Sequence, residues 1–112
     1  GDGRQTRDFT PVANAVLALL QAGAIDKPLR GETINIGNGE RASVLHLAEL
    51  IGAACGVPEV RPVFEPARAG DVRDSLADLA RAREILSYTP LTSLEDGVAE
   101  TVAWSKRQFA GA

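Results

Sequence analysis

The sequence is poor in the residues that build disulfides and metal centres. Its 112 residues contain one cysteine, Cys55, one histidine, His46, and no methionine. One cysteine cannot form an internal disulfide, and one cysteine with one histidine falls short of the clustered ligands of a zinc site. The two residues also lie about 13 Å apart along one predicted helix, which excludes a Cys–His nucleophile pair.

Long apolar runs are absent as well, so no segment could form a transmembrane helix. Residues 1–9 are polar and charged and do not resemble a signal peptide. Acidic residues outnumber basic ones by 15 to 12, which gives a net charge of −3. Proteins that bind nucleic acids usually show a basic excess on one face, so we expect neither nucleic acid nor a membrane as a partner. The cysteine content fits a reducing compartment and predicts a cytoplasmic location.

What remains is the composition of an ordinary globular domain, with 45% hydrophobic and 24% charged residues. The length is sufficient for one domain. An initiator methionine is missing, and the chain opens with a loop, Gly1-Asp2-Gly3, instead of a structural element. We therefore expect residues 1–112 to be one domain, the C-terminal part of a larger protein.

Apolar residues at helical spacing predict four helices, and alternating apolar residues predict two short strands. Pro11 suits the first turn of the first helix, while Ser43, Asp78 and Ser93 can cap the others. We expect helices at residues 11–23, 44–55, 79–86 and 94–109, strands at 32–37 and 60–64, and an extended piece at 8–10. This order predicts an α/β fold, a small subdomain with a few short strands and about four helices.

Two short strands make a thin core, so strand 32–37 is expected to need a neighbour, either in this chain or in a sheet outside it. Exposed strand edges pair readily with other chains. We therefore expect weak self-association through this edge.

Arginines in two loops are the candidates for ligand binding. Arg7 lies in the opening loop, and Arg68 lies in a second loop three residues before Asp71. Two such arginines brought together could bind a diphosphate through paired hydrogen bonds, and Asp71 could accept from sugar hydroxyls. The alternative is that Arg7–Asp8 and Arg68–Asp71 are local, solvated ion pairs, each contributing less than about 1 kcal/mol. The spacing alone favours this alternative.

Six short motifs follow one another along nearly the whole chain. They are G-D-G-x-Q-x-R-D-F at residues 1–9, N-[IL]-G-x-G at 35–39, S-V-x-x-L-x-x-x-I at 43–51, R-x-G-D with S-x-A-D at 68–78, [GS]-Y-x-P at 87–90 and T-V-x-W at 101–104. In this order they resemble the NAD-dependent epimerase/dehydratase family. These are extended short-chain dehydrogenase/reductases that act on nucleotide sugars, and UDP-glucose 4-epimerase is the best known of them.

The resemblance implies roles for five residues. Arg7 and Arg68 would hold the diphosphate of a UDP- or dTDP-sugar. Phe9 would line the nucleotide pocket, and Val44 would pack near the base and ribose. Asp71 would bind ribose hydroxyls. All five would contact the substrate, and none would be catalytic.

The sequence departs from the family chiefly in what it lacks. The glycine-rich NAD loop and the catalytic Tyr-x-x-x-Lys are absent, since Tyr88 is the only tyrosine and Thr92 stands four residues later. The resemblance therefore implies that NAD serves the parent enzyme through a Rossmann domain outside this chain, and that this chain binds no cofactor and is inactive alone. Asn14 replaces a family aspartate, which puts any salt bridge there in doubt, and Ser87 replaces a glycine at a helix end.

These observations favour the substrate-binding portion of an NAD-dependent nucleotide-sugar epimerase that resembles UDP-glucose 4-epimerase. A dehydratase or decarboxylase of the same family is the alternative within the class. A non-enzymatic module for anion binding or assembly is the alternative from another class, and the missing methionine argues against it.

Overall fold

Two of the helices begin at serine side chains that accept free N–H groups of the first turn. In the computed structural model, which describes residues 1–110, Ser43 Oγ accepts from the His46 N–H at 3.0 Å and Ser93 Oγ accepts from the Asp96 N–H at 3.1 Å. Both caps confirm the prediction from the sequence. The elements are β1 (Thr6–Arg7), α1 (Val12–Ala24), β2 (Ala42–Ser43), α2 (Val44–Cys55), α3 (Ala80–Leu86) and α4 (Leu94–Phe109). Across the described range, four helices and a two-stranded sheet confirm the predicted fold class.

The predicted positions of the strands are wrong. Residues 32–37 belong to no strand, and no backbone–backbone hydrogen bond within residues 1–110 involves them. The two apolar side chains of this segment, Ile34 and Ile36, pack against the core instead. Residues 60–64 are exposed throughout. Alternation of apolar side chains predicts an extended backbone, whereas a strand also requires a neighbour to pair with.

The sheet forms instead at the opening segment, just before the expected extended piece at residues 8–10. β1 and β2 pair antiparallel, with Thr6 opposite Ser43 and Arg7 opposite Ala42. Thr6 also forms a parallel bridge with Asp74. The opening segment is thus held between two later parts of the chain.

The helix ends differ slightly from the prediction. α1 ends at Ala24, one residue beyond the expected stop. Asp78 Oδ1 accepts the Ala80 N–H at 2.9 Å, but Leu79 occupies the cap position of α3. Ser87 ends α3 in the left-handed region at φ 55°, a conformation that glycine adopts at lower cost. Ser87 therefore ends α3 in the conformation that a glycine would adopt at this position.

The core lies between α1 and α3 and is small. Its buried apolar side chains are Ala18, Leu79, Ala82, Leu86 and Tyr88. α2 and α4 pack together as a second pair. Gly97 of α4 lies directly against Pro11 at the start of α1, where an added Cβ would stand 2.6 Å from the proline Cγ. This close approach joins α4 to the first helix. Within residues 1–110, no helix combines the length and the apolarity needed to cross a bilayer.

Asn14 of α1 is a buried polar side chain that joins three segments. Its NH2 group donates to Asn38 Oδ1 at 2.9 Å and to the Thr92 carbonyl at 2.8 Å. Its oxygen accepts the N–H groups of Leu91 and Thr92 at 3.1 and 3.0 Å. All four hydrogen-bonding positions of the amide are therefore used. A carboxylate could accept two of these bonds but could not donate the other two, so an aspartate at position 14 could not form the complete network.

Asn14→Asp is expected to destabilise the folded chain by about 2–4 kcal/mol at neutral pH, because a buried carboxylate oxygen would face the Thr92 carbonyl with no hydrogen between them. The loss should shrink at acidic pH, where the carboxyl group is protonated and can donate. Urea denaturation measures the free energy of unfolding. The control is Asn35→Asp on an exposed residue, which should change this free energy by less than about 0.5 kcal/mol. Equal losses in the two variants would contradict the role of Asn14.

Asp8 binds the loop that follows residues 32–37. Its Oδ1 accepts the Asn38 N–H at 2.7 Å, and its Oδ2 accepts those of Gly39 at 3.0 Å and Ala77 at 3.4 Å. Tyr88 approaches the same loop and donates its hydroxyl to the Gly37 carbonyl at 2.7 Å. Burial, and then the negative charge of Asp8, raise the pKa of Tyr88 above its ordinary value.

The raised pKa of Tyr88 predicts a loss of stability in alkali. The unfolded chain releases the phenol proton near pH 10, whereas the folded chain retains it to higher pH. The free energy of unfolding should therefore fall as the pH rises above about 10. Tyr88→Phe should be less stable at neutral pH by roughly 1–3 kcal/mol, since the Gly37 carbonyl loses its donor, and should lack the component of alkaline loss that comes from Tyr88. Urea denaturation across this pH range tests both statements, and an identical alkaline loss in the two proteins would refute the second.

Candidate functional site

Arg7 of β1 is held by three acceptors. Its Nη2 atom forms an ion pair with Asp71 Oδ1 at 2.7 Å, and its Nη1 atom donates to the Thr6 carbonyl at 2.7 Å and to the Arg73 carbonyl at 3.4 Å. The Arg7 side chain remains 29% exposed and that of Asp71 45%. The two backbone carbonyls thus orient the guanidinium group. The ion pair with Asp71 is exposed to solvent, so an anion could compete with Asp71 for Arg7.

The local ion pairs Arg7–Asp8 and Arg68–Asp71 do not form within the described residues. Asp8 accepts from backbone N–H groups instead. Asp71 pairs with Arg7, which is 64 positions away along the chain. Only the tertiary fold brings these two residues together, so local spacing could not have indicated the pair.

Three hydrogen bonds of Thr6 hold the segment that follows Asp71 next to β1. Its N–H donates to the Arg73 carbonyl at 2.9 Å, and its carbonyl accepts the Ser75 N–H at 3.2 Å. Its hydroxyl donates to Asp74 Oδ1 at 2.6 Å. These bonds fix the backbone two to four residues beyond Asp71, and thereby bring the loop that carries Arg68 alongside β1.

An open cavity of about 640 Å³ lies beside the Arg7–Asp71 pair. Arg4, Arg68, Arg73 and Asp71 contribute polar groups to its lining, and Phe64 contributes an aromatic ring. We call it the arginine cavity. Its dimensions and mixed lining are typical of a site for a small organic anion.

The lining of the arginine cavity contains three arginines, Arg4, Arg68 and Arg73, and three acidic residues, Asp2, Glu65 and Asp71, but not all of them are paired. Arg73 Nη1 lies 3.1 Å from Asp2 Oδ2. The backbone N–H of Arg4, followed by Arg73, holds the pKa of Asp2 below its ordinary value, so this carboxylate stays ionised. Within residues 1–110, neither Arg4 nor Arg68 has an ion-pair partner. Two guanidinium groups are therefore available to an anion, and their planar geometry suits phosphate oxygens.

The remaining two predicted site residues lie elsewhere. Phe9 lines a second, apolar cavity of about 580 Å³ between α2 and α4. Val44 begins α2 with 37% of its surface exposed, and its N–H donates to the Gln5 carbonyl at 3.1 Å. The structure thus groups Arg7, Arg68 and Asp71, while the roles of Phe9 and Val44 stay predictions.

Arg4 and Phe64 line the arginine cavity but were not among the predicted site residues. Arg4 lies within the first sequence motif, so its position in that loop was a usable signal. Phe64 gave no such signal, because it falls in a segment whose alternation predicted a strand. Among the described residues, no cluster of His, Cys, Asp and Glu could hold a metal ion.

No family model matches the chain. It is 38% identical over 108 residues to UDP-glucose 4-epimerase of Mycolicibacterium smegmatis, a match covering 96% of this chain and 34% of that protein. It is also 38% identical over 104 residues to dTDP-glucose 4,6-dehydratase of an Actinoplanes strain, covering 93% and 32% of the two proteins. The chain is a homologue of the NAD-dependent epimerase/dehydratases. It spans about a third of the length of these relatives.

The solved structures agree with the relatives found by sequence. UDP-glucuronic acid 4-epimerase from Bacillus cereus, in complex with UDP-glucuronic acid and NAD, is 32% identical and superposes with a TM-score of 0.86. The superposition covers 97% of this chain and 34% of that enzyme. The resemblance to the epimerase/dehydratases and the α/β subdomain predicted from the sequence are thereby confirmed.

Proposed function

We propose that this chain is the C-terminal, nucleotide-sugar-binding part of an NAD-dependent epimerase similar to UDP-glucose 4-epimerase. The arginine cavity carries the proposal. Arg68 and Asp71 line it, and the Arg7–Asp71 ion pair of 2.7 Å joins the opening segment to it. Arg7 and Asp71, which are 64 positions apart in the sequence, thus meet at one surface, where Arg4 and Arg68 have no ion-pair partner within residues 1–110.

Arg68 and Arg7 would bind the diphosphate. Arg68 is unpaired within residues 1–110, and Arg7 is partly exposed while two carbonyls fix its orientation. A phosphate oxygen that takes the Nη2 hydrogen of Arg7 would release the Asp71 carboxylate. Asp71 would then be free to accept from ribose hydroxyls. The ligand would therefore replace one charge-assisted hydrogen bond with several.

The base would lie against apolar surface. Phe64 offers a ring in the arginine cavity, and it is 55% exposed. Aromatic faces of this kind stack on nucleobases. Val44 and Phe9, at the starts of α2 and α1, would extend that surface once the complete site is assembled.

When bound, NAD would supply hydride transfer: the sugar carbon that bears the hydroxyl would lose its hydrogen as hydride and the hydroxyl its proton, and the hydride would return to the opposite face of the resulting ketone as the oxygen regains a proton. The B. cereus relative, solved with both NAD and UDP-glucuronic acid, supports such a pairing of ligands. This chain lacks the glycine-rich loop and the Tyr-x-x-x-Lys pair, so its own contribution is to bind and orient the substrate. The catalytic groups and NAD would belong to the rest of a longer, cytoplasmic protein.

The longer protein that contains this chain is expected to interconvert UDP-glucose and its 4-epimer in the presence of NAD. Mass spectrometry of the products from UDP-glucose and from UDP-glucuronic acid distinguishes the alternatives. Epimerisation leaves the mass unchanged, a dehydratase removes water, and a decarboxylase removes carbon dioxide from UDP-glucuronic acid, the one of the two that carries a carboxyl group. The similarity to dTDP-glucose 4,6-dehydratase makes dTDP-glucose the second substrate to assay. Tight nucleotide-sugar binding without turnover of any sugar would favour the non-enzymatic anion-binding module.

Arg7→Ala and Arg68→Ala are each expected to weaken UDP-glucose binding by about 10- to 100-fold, because each removes charged donors from the diphosphate. Isothermal titration calorimetry on the longer protein measures the affinity. Arg61→Ala is the matched control, since Arg61 is exposed in the same segment but lines a different cavity. Equal affinities in all three variants would contradict the site.

Asp71→Asn separates the two roles of this carboxylate in the same assay. If Asp71 binds ribose, the variant should bind UDP-glucose more weakly, whereas inorganic pyrophosphate, which has no ribose, should bind as well as before or better. Equal weakening for both ligands would show that Asp71 only orients Arg7.

A further inference from the structure

The loop that carries Arg68 packs little against the rest of the chain. We call residues 61–70 the Arg68 loop, and every one of its residues is exposed. Within residues 1–110, no backbone–backbone hydrogen bond involves residues 61–67, except that the Gly1 amine lies 3.5 Å from the Pro66 carbonyl. A hydrogen bond of that length is weak, so it does not by itself hold the middle of the loop in place.

The Arg68 loop is fixed by backbone hydrogen bonds only at its two ends. Before it, the Val60 N–H donates to the Val57 carbonyl at 3.3 Å. After it, the Asp71 N–H donates to the Arg68 carbonyl at 3.2 Å, and Gly70 has a φ of 80°, the conformation that the third residue of a type II turn adopts. This turn joins the backbone of Arg68 to that of Asp71. An exposed span with so few contacts opens easily, so a single turn leaves the residues before it free to move.

Phe64 provides a contact in the middle of this span. Its ring lies against Gly3 of the opening segment, where an added Cβ would stand 3.2 Å from Phe64 Cε1 and 3.3 Å from Leu45 Cβ. The Leu45 N–H donates to the Gly3 carbonyl at 2.9 Å, which fixes Gly3 to the first turn of α2. Phe64 is 55% exposed, so this contact covers part of its surface and leaves the rest open to the arginine cavity.

The contact joins the two segments that carry the candidate arginines. Gly3 lies four positions before Arg7, and Phe64 lies four positions before Arg68. Two guanidinium groups can bind one diphosphate only if their separation matches that of the phosphate oxygens. When folding fixes this separation in advance, the ligand does not have to order the loop on binding, and its affinity is higher.

We propose that Phe64 is a positioning residue, whose ring packs on Gly3 and holds the Arg68 loop where Arg68 and Arg7 bind the same diphosphate. The proposal rests on the diphosphate site described above. It gives Phe64 a role in addition to contact with the base, because the ring acts through the backbone of the loop and needs no contact with the phosphates.

Inorganic pyrophosphate tests this role, since it has no base on which a ring could stack. In the longer protein, Phe64→Ala should weaken pyrophosphate binding by about 5- to 20-fold, because the ligand must then order the loop. Phe64→Leu keeps apolar volume against Gly3 but removes the aromatic face, and should restore the affinity to within roughly twofold of the original. Isothermal titration calorimetry measures both.

Val63→Ala is the matched control, because Val63 is the neighbouring residue of the same loop and is 90% exposed. It should leave pyrophosphate binding unchanged. If Phe64→Ala weakens the binding of UDP-glucose but not that of pyrophosphate, the ring only contacts the base and the proposal is overturned. Equal losses of pyrophosphate affinity in Phe64→Ala and Val63→Ala would overturn it as well.

A double-mutant cycle tests whether Phe64 acts through Arg68. In an Arg68→Ala background, Phe64→Ala should no longer affect pyrophosphate binding, since the side chain that it positions is gone. The same fold-loss in both backgrounds would overturn the proposal. If Arg68→Ala itself leaves pyrophosphate binding unchanged, the proposed diphosphate site fails and this role fails with it. If Arg68→Ala weakens binding and Phe64→Ala does not, the role of Phe64 alone fails.

Discussion

The four hydrogen bonds of Asn14 hold together segments that are distant in the sequence. They join α1 to the loop before α4 and to Asn38, whose own N–H is bound by Asp8. Asp8 directly follows Arg7, so the position of the candidate ligand-binding arginine depends on this buried network. Because an unsatisfied buried polar group costs about 1–3 kcal/mol, such a network tolerates few alternative arrangements. The buried network and the arginine cavity are therefore structurally linked.

In the proposed arginine cavity, a bound diphosphate would take the place of Asp71 as the partner of Arg7. Arg7 already has a carboxylate partner in Asp71, while Arg4 and Arg68 have none within the described residues. An exposed ion pair contributes little to folding, so exchanging Asp71 for a phosphate sacrifices little stability. The two carbonyls that bind Arg7 keep its guanidinium oriented during such an exchange. Under the proposed function, the same residues would stabilise the free site modestly and bind a diphosphate strongly.

The chain has an open shape and corresponds to about a third of the length of its relatives. Its two helix pairs bury few apolar side chains, which within the described residues are Ala18, Leu79, Ala82, Leu86 and Tyr88.

The sequence by itself determined the four helices, two of their serine caps and the relationship to the epimerase/dehydratases, since periodicity, capping and short motifs are local properties. It also singled out Arg7, Arg68 and Asp71. Only the tertiary structure decided where strands form, because pairing needs a neighbour that residues 32–37 lack within residues 1–110 and that Thr6 finds at Ser43. The tertiary structure also pairs Arg7 with Asp71 instead of Asp8 and places Phe64 in the lining of the arginine cavity. These are contacts between distant residues, and local pattern carries no information about them.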